Sequence, residues 1–368
     1  MKLQNVRRRA FHSTVAATAV FTSLAMPANA HEGDGGKVTY ATDHAPIGVM
    51  ADHRHKKGEF MVSLRAMYMD MSGNRDGTDS VSPEDIATSE PNPFAGMPPT
   101  LRVVPLDMPM KMIMPGVMYG LNDRVTLMAM GMYLENEMEH VTYQGGMGAT
   151  QLGRFTTESS GWGDTTIGAI IGLDDGSNEH AQLNLGLSVS LPTGSIDETA
   201  QVLTPMNMRP TLRMPYPMQL GSGTYDLKPS LTARSRSGQW SYGGQLSGTI
   251  RLGENDEGYT LGDVVGATAW LAYEPRPWVS FSGRLKAQSV GQIDGRDTMI
   301  MAPVQTADPG NHGGETLEAL LGLNLAGQAG GLRGHRLAFE LGVPLYRDLN
   351  GPQLETDLTF TVGWQKAF

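Results

Sequence analysis

The last fifteen residues of the chain, 354–368, alternate between apolar and polar side chains. Successive side chains of a strand point to opposite faces, so this period of two predicts a strand with one apolar and one polar face. The apolar face and the chain end contain Leu354, Leu358, Phe360, Val362, Trp364 and Phe368. The pattern restricts the fold to a sheet that has apolar surroundings on one side.

A terminal strand of this kind resembles the closing strand and assembly signal of Gram-negative outer-membrane β-barrels. The resemblance assigns the assembly signal to Phe360, Val362, Trp364 and Phe368. Lys366 departs from it, because the pattern prefers an apolar residue there; a lysine can extend its amine to the membrane–water interface. A soluble β-sandwich can end on a similar strand, so the rest of the chain has to decide between the two folds.

The same alternation recurs in twelve runs, which lie near 59–69, 110–120, 124–134, 163–174, 180–191, 223–235, 239–252, 261–274, 277–289, 315–326, 335–346 and 354–367. Short and long connections alternate between them, with the principal long ones at 70–109, 135–162, 192–222 and 290–314. Short periplasmic turns and long extracellular loops are typical of outer-membrane barrels. We therefore predict an all-β fold, a transmembrane antiparallel β-barrel of about 12 strands over residues 59–368.

The residues before the first run divide into two segments. Residues 1–30 combine basic residues, an apolar stretch at 15–26 and the small-residue site Ala28-Asn29-Ala30, which predicts a secretory signal peptide. Residues 31–58 are rich in His and Gly and are expected in the periplasm or in the barrel mouth. The chain after residue 30 has no run of eighteen apolar residues, which excludes a helical membrane span.

The formal net charge of −10 argues against nucleic acid as a partner. Together with the predicted barrel, it leads us to expect a protein of the cell outer membrane. Its partners would be outer-membrane lipid, the barrel-assembly machinery and a small-molecule solute.

Three short motifs accompany the runs. Gly163-Asp164-Thr165 opens a run, Leu191-Pro192-Thr193-Gly194 closes the next, and residues 221–231 enter a third. With these motifs the chain resembles the outer-membrane barrel family named for meta-pathway phenol degradation, related in size to the long-chain fatty-acid transporters. The resemblance covers most of 59–368 and implies a channel, often proposed to admit aromatic or other apolar compounds. It implies no catalytic residues, and we expect no enzyme.

Charged residues of the runs lie at the positions that alternate with the apolar ones, so we expect their side chains to point into the barrel. The candidate lumen and selectivity residues are Arg65, Lys228, Arg234, Arg251, Arg284, Lys286, Glu340, Glu355 and Asp357. Charges inside a barrel hold water and set selectivity. They can equally form acid–base ladders that brace the wall, and the two roles are compatible.

In three neighbouring runs, methionines also lie at the alternate positions that we expect to face inward. They are Met67, Met69, Met71, Met110, Met112, Met114, Met128, Met130 and Met132. The thioether is flexible apolar filler, and it is also a soft ligand that suits Cu(I). Imidazoles that could complement such a site are His31, His44, His53 and His55. The second run is the least regular, because Lys111 has the opposite parity and Pro115-Gly116 could insert a bulge.

Three functions remain open at this point. The first is an outer-membrane channel that passes small apolar or aromatic solutes by passive diffusion and needs no cofactor. The second is a barrel that handles copper or silver through the methionines and histidines. The third is a soluble periplasmic β-sandwich that binds a ligand.

Overall fold

The structure is a computed structural model that describes residues 39–94, 98–174 and 181–368. The predicted signal peptide and His31 lie outside these residues. The described chain is almost entirely β, and its strands are β1 (Phe60–Gly77), β2 (Asp79–Val81), β3 (Val103–Asp107), β4 (Met110–Asn122), β5 (Val125–Met130), β6 (Tyr133–Tyr143), β7 (Gln151–Trp162), β8 (Thr165–Gly172), β9 (Ala181–Leu191), β10 (Thr199–Gln201), β11 (Thr211–Arg213), β12 (Tyr225–Ser237), β13 (Trp240–Leu252), β14 (Tyr259–Thr260), β15 (Val264–Arg276), β16 (Val279–Val290), β17 (Asp294–Gly295), β18 (Gly314–Ala326) and β19 (His335–Ala367).

Helical structure in the described residues is confined to short segments. The helix α1 spans Pro83–Ser89, and the Ser82 hydroxyl caps it by accepting a hydrogen bond from the Asp85 N–H. Single 3₁₀ turns lie at Ala41–Asp43, Tyr216–Met218, Gln305–Ala307 and Gly330–Leu332. Within the described ranges, no helix has the length and apolar character that a membrane crossing requires.

The main sheet closes on itself. From β1 the neighbours run through β4, β5, β8, β9, β12, β13, β15, β16 and β18 to β19. The first half of β19 pairs with β18 and its second half pairs with β1, where Met61 lies opposite Ala367. All of these pairings are antiparallel. The predicted antiparallel β-barrel is confirmed, and the β-sandwich alternative is wrong, because one ring of strands replaces two stacked sheets.

The predicted number of strands is not met. Each of the twelve runs lies on a strand, but the main sheet contains 15 strand segments. Residues 131–132 separate β5 from β6, and residues 163–164 separate β7 from β8. The predicted loop 70–109 also contains the end of β1 together with β2 and β3, and the predicted loop 135–162 is the hairpin of β6 and β7.

The hairpin escaped the sequence analysis because its outward face is not apolar. Glu135, Glu137 and Glu139 occupy alternate positions of β6, while Leu134 and Met138 are buried on the other face. A strand that continues beyond the lipid does not need an apolar outer face. The alternation of apolar and polar residues therefore ends before the strand does.

The two faces of the ring have opposite chemistry. Large apolar side chains are exposed on the outside, among them Leu64, Ile113, Leu127, Ile167, Leu187, Leu246, Val265, Leu285, Leu321 and Leu341. Polar side chains are buried on the inside, among them Arg65, Thr126, Asn184, Asp226, Gln245, Arg284, Asn324, Arg336 and Glu340. This arrangement is the inverse of a soluble protein and fits a wall that lipid surrounds.

Residues 39–58, here called the inner segment, run inside the ring. The Ala41 N–H donates to the Pro277 carbonyl at one end, and the Gly58 N–H donates to the Gly120 carbonyl at the other. Trp270, an aromatic residue on the inward face of β15, is 5% exposed because Ala45 and Val49 of this segment pack against it. The inner segment therefore supplies the apolar contact that the polar barrel interior lacks at this position.

Candidate functional site

The inward methionines of three strands form one continuous wall. Met67 lies opposite Met112 and Met69 opposite Met110 across β1 and β4, and Met118 lies opposite Met128 across β4 and β5. The register of β1 with β4 has no shift, so Pro115-Gly116 makes no bulge there. Inward positions of these strands are Met67, Met69, Met71, Met110, Met112, Met114, Met128 and Met130.

One residue of the second run and one of the third do not belong to this wall. Lys111 points outward, where its Nζ lies 3.7 Å from a Glu135 carboxylate oxygen. Met132 lies in the interruption between β5 and β6, and its carbonyl accepts a hydrogen bond from the Gly163 N–H at 2.7 Å. The methionine wall therefore ends at Met130 rather than continuing to Met132.

The wall leads into a packed group of methionines, here called the methionine core. Met108, Met138, Met214 and Met218 are buried, and Met71 and Met110 pack against them. Met138 was missed by the sequence analysis because residue 138 lay in a predicted loop; the alternation of Leu134, Asn136 and Met138 was the available signal. Thioethers in dry mutual contact form an adaptable apolar core.

Most predicted lumen charges form ion pairs with an oppositely charged inward residue. Arg284 pairs with Glu340, Arg251 with Asp226, and the Lys286 amine lies 3.4 Å from Glu318. Glu355 forms ion pairs with Arg75 at 2.6 Å and with Arg347 at 3.0 Å. Asp357 accepts a hydrogen bond from the Ser72 hydroxyl at 2.5 Å. Arg75 and Arg347 were missed, because both lie where connections were predicted.

Other arginines hold the inner segment. Arg65 donates to the Met50 thioether, and Arg234 donates to the Asp43 carbonyl. Arg336 donates to the Ala45 carbonyl at 2.6 Å and also to Gln365 and Asn324. Gly48 passes so close to Arg284 and Glu340 that a side chain at this position would collide with them. These contacts fix the segment at several points along its length.

A small cluster of candidate metal ligands lies within the inner segment. His44 Nδ1 is 3.3 Å from His53 Nδ1, which is 2.7 Å from Asp52 Oδ1, and ligand atoms of these three residues all lie within 4.8 Å of one another. The His55 ring contacts His53 at a centroid distance of 5.0 Å. Asp52 was missed as a candidate. Two imidazoles and a carboxylate suit Zn²⁺ or Cu²⁺, but the nearby Arg234 and Arg336 oppose a cation.

Two of the cavities that the described residues line bear on a functional site. The lumen cavity, of about 310 Å³, is lined by the inner segment and by strands β5, β8, β9, β12, β13, β15 and β16, and its lining includes Met50, Met128, Met130, Lys228, Arg284 and Lys286. The outer pocket, of about 280 Å³, is lined by loops and by β6 and β7, and its lining is mostly apolar and includes His140, Phe155, Val202, Leu203, Met301 and Val304.

His140 shows how dry the outer pocket is. Its ring stacks on Phe155 at a centroid distance of 4.7 Å and is 2% exposed. Burial lowers the pKa of His140 to about 4, because the imidazolium loses its hydration there. The imidazole is therefore neutral at ordinary pH and lies among the mostly apolar lining of the pocket, in which Arg213 is the charged residue among the described lining residues.

Comparison with known proteins agrees with the fold. No family model matches the chain, and no curated protein matches it. The structure is similar to the crystal structure of an outer membrane channel from Pseudomonas putida F1, with a TM-score of 0.54, 15% sequence identity, and coverage of 85% of this chain and 97% of that one.

Two transporter structures are less similar. A Pseudomonas aeruginosa FadL homologue has a TM-score of 0.42 and 9% identity, covering 84% of this chain and 90% of that one. The Pseudomonas putida toluene transporter TodX has a TM-score of 0.42 and 8% identity, covering 85% and 90%. Scores at this level carry no argument. The similarity to the outer membrane channel shows the fold that the sequence predicted.

Proposed function

We propose that the chain forms an outer-membrane channel through which small apolar or aromatic solutes diffuse passively. The observation that carries this proposal is the closed ring of strands with an apolar exterior and a polar interior. Such a wall is stable when lipid covers its outside and water, solute or protein occupies its inside. The partners of the barrel would then be outer-membrane lipid and, during assembly, the barrel-assembly machinery acting on the strand that ends at Phe368.

The outer pocket supports an apolar solute. Phe155, Leu203 and Val304 belong to a buried apolar cluster of the loops, and neutral His140 lies beside them. Sites that bind small molecules are mostly apolar concavities with a few polar groups. A solute that leaves the external medium would gain free energy by burying apolar surface in this pocket.

The interior offers weak contacts along the way. The methionine wall presents flexible thioethers that can adapt to different apolar shapes. The paired charges keep part of the interior polar, and the inner segment narrows it. Passage needs sites that attract a solute without holding it tightly, and a series of soft contacts meets this requirement.

Uptake by cells tests the proposal. Gram-negative cells that carry the barrel are expected to accumulate a radiolabelled single-ring aromatic solute severalfold faster than cells without it. Leu203→Arg introduces a charge into the outer pocket and should return the rate toward that of the empty cells. Met147→Arg is the matched control, because Met147 is 90% exposed. Equal rates with and without folded barrel in the outer membrane would contradict the proposal.

A second candidate function is the handling of copper or silver ions. The specific observation in its favour is the direct cross-strand pairing of Met67 with Met112 and of Met69 with Met110. Adjacent thioethers are soft ligands for Cu(I). The burial of the methionine core without polar partners agrees equally well with packing, so this candidate ranks second.

Titration of Cu(I) into the folded barrel separates the two roles. Stoichiometric binding that is lost in Met67→Leu, Met69→Leu, Met110→Leu and Met112→Leu combined would support metal handling. The control replaces the exposed Met147, Met206 and Met299 with Leu. Absence of binding in the wild-type barrel would leave the methionine wall with an apolar role only.

A further inference from the structure

The charge on the lining of the lumen cavity is one-sided. Lys228, Arg284 and Lys286 line it, and among its described lining residues no aspartate or glutamate occurs. The other polar lining groups are the hydroxyls and amides of Thr166, Ser188, Ser230, Gln245, Ser247, Thr249, Thr268 and Gln288. The cavity therefore combines three cations with neutral hydrogen-bonding groups.

Arg284 and Lys286 each have an acidic partner. The Arg284 Nε donates to Glu340 at 3.0 Å, and its Nη1 donates to the Thr268 hydroxyl at 3.3 Å. The Lys286 amine lies 3.4 Å from Glu318, and its side chain is 34% exposed. The Arg284 guanidinium thus donates to both Glu340 and Thr268. The Lys286 amine lies at a longer distance from its acidic partner and has N–H groups that can donate to a ligand.

Lys228 is in a different position. Its amine donates to the Ser190 hydroxyl at 3.3 Å, and among the described residues no carboxylate lies within 4 Å of it. Asp226, two residues earlier on the same inward face, is already bound by Arg251 and by the Thr224 hydroxyl. Asp226 and Asp164 act on the Lys228 ammonium only from beyond contact distance. An ammonium group in a confined interior that no described carboxylate contacts attracts an anion.

The opposite side of the cavity is apolar. Met50 and Ala51 of the inner segment and Met128 and Met130 of β5 contribute thioethers and a methyl group. A ligand that satisfies both sides has an anionic end and an apolar body. The volume of about 310 Å³ lies at the lower end of the roughly 300–1,000 Å³ that is usual for small-molecule sites, which restricts the body to the size of a single ring.

We propose that the lumen cavity selects small organic anions, in particular a carboxylate attached to one aromatic ring or a short apolar chain. This inference rests on the proposed channel function and narrows its solute class. The carboxylate would accept hydrogen bonds from Lys228 and Lys286 and from neighbouring hydroxyls, while the ring lies against the methionine wall. A neutral ring lacks the net negative charge that the lysines attract, and an ammonium ion is repelled by them.

The test compares three solutes with the same ring and different charge: benzoate, benzyl alcohol and benzylammonium. In cells that carry the barrel, benzoate should enter faster than benzylammonium by about tenfold, the lower end of the effect that charge focusing has on encounter rates. Lys228→Gln should remove most of this preference, and Lys228→Arg should keep it. Lys111→Gln is the control, because Lys111 is exposed on the outside of the ring.

The outcomes separate the inference from the function on which it rests. If none of the three solutes enters faster than in cells without the barrel, the channel function fails and the anion preference with it. If all three enter equally faster, the channel stands and the anion preference is overturned. A preference for benzoate that Lys228→Gln leaves intact would overturn the role of Lys228. Heat-modifiable electrophoretic mobility would show that each variant is folded.

Discussion

The barrel interior is filled in two different ways along its axis. In one part, Met108, Met138, Met214 and Met218 pack together as an apolar cluster. In the other part, Arg336 donates a hydrogen bond to the Ala45 carbonyl of the inner segment, and Glu340 of the Arg284–Glu340 pair accepts one from the Gly48 N–H. One region is held by contact area and the other by hydrogen bonds and charge.

The difference shows that an inward position on a strand fixes the direction of a side chain but not the kind of contact that it makes. Strand alternation brings Met138 and the Arg284–Glu340 pair to the inward face of their strands, whereas Met108, Met214 and Met218 lie outside the strands. The stability of the methionine core should respond to lost volume and tolerate changes of side-chain chemistry, because dispersion and apolar burial are not directional. The polar region should respond to the loss of a single group, because each removal leaves a buried partner unsatisfied.

Removal of the Glu340 carboxylate tests the polar region and should have the largest effect. Glu340→Ala leaves the buried Arg284 guanidinium without its countercharge and the Gly48 N–H without its acceptor. Breaking a buried ion pair by removing one partner costs about 3–5 kcal/mol in the free energy of unfolding. Urea unfolding of the barrel in lipid vesicles, followed by tryptophan fluorescence, measures the loss.

The control for this prediction is the exposed pair of Lys111 and Glu135 on the outside of the ring. Lys111→Ala should change the unfolding free energy by less than about 1 kcal/mol, as is usual for surface pairs. Similar losses for the two variants would mean that the polar interior is as well hydrated as the outer surface, and the contrast between the two regions would disappear.

The methionine core is tested by a change of volume at constant polarity. Met138→Ala removes a side chain that is 0% exposed and should destabilise the barrel by about 2–5 kcal/mol. Met138→Leu nearly conserves the volume and should cost less than about 1.5 kcal/mol. The same urea titration measures both. A large loss for the leucine variant would show that the thioether itself, and not its volume, is required.

The pH dependence of stability sharpens the comparison for the outer pocket. The pKa of His140 is about 4 in the folded barrel and about 6.5 in an unfolded chain, so only the unfolded state takes up the proton in this interval. Stability is therefore full above pH 6.5 and falls as the pH decreases toward 4, by up to about 3 kcal/mol for a fully buried group.

Comparison of the wild-type barrel with His140→Gln at pH 7 and pH 4.5 measures this contribution. The variant should lose less stability between the two values, although His312, whose pKa burial also lowers to about 4, keeps part of the dependence. An unchanged pH dependence would mean that water reaches the His140 ring.

Much of the fold was readable from alternation. Every predicted run lies on a strand, and the terminal run with Phe360 and Trp364 closes the ring against β1. The prediction failed where lipid no longer imposes an apolar face, as in the hairpin that carries Glu137 and Met138. It also failed where two strands join without a loop, because residues 347–353 continue β19 instead of connecting two runs.

The candidate sites were readable only in part. Parity gave the inward direction of Met67, Met112 and Arg284, because it is a property of the strand alone. It could not give the partners of the inward charges and imidazoles. Asp226 meets Arg251 and Glu318 meets Lys286 only through the register of the strands. Asp52 meets His53 only through the path of the inner segment. The same limit applies to Lys228, because the absence of a described carboxylate within 4 Å of its amine depends on spatial distances.

The sequence by itself determined that this chain makes a ring of strands with an apolar outside and a polar inside, because a period of two acts residue by residue along each strand. Only the tertiary structure decided that an N-terminal segment lies within the ring and that loop methionines join those of the wall. Such contacts link residues far apart in the chain, and their energies depend on distances that no local pattern encodes.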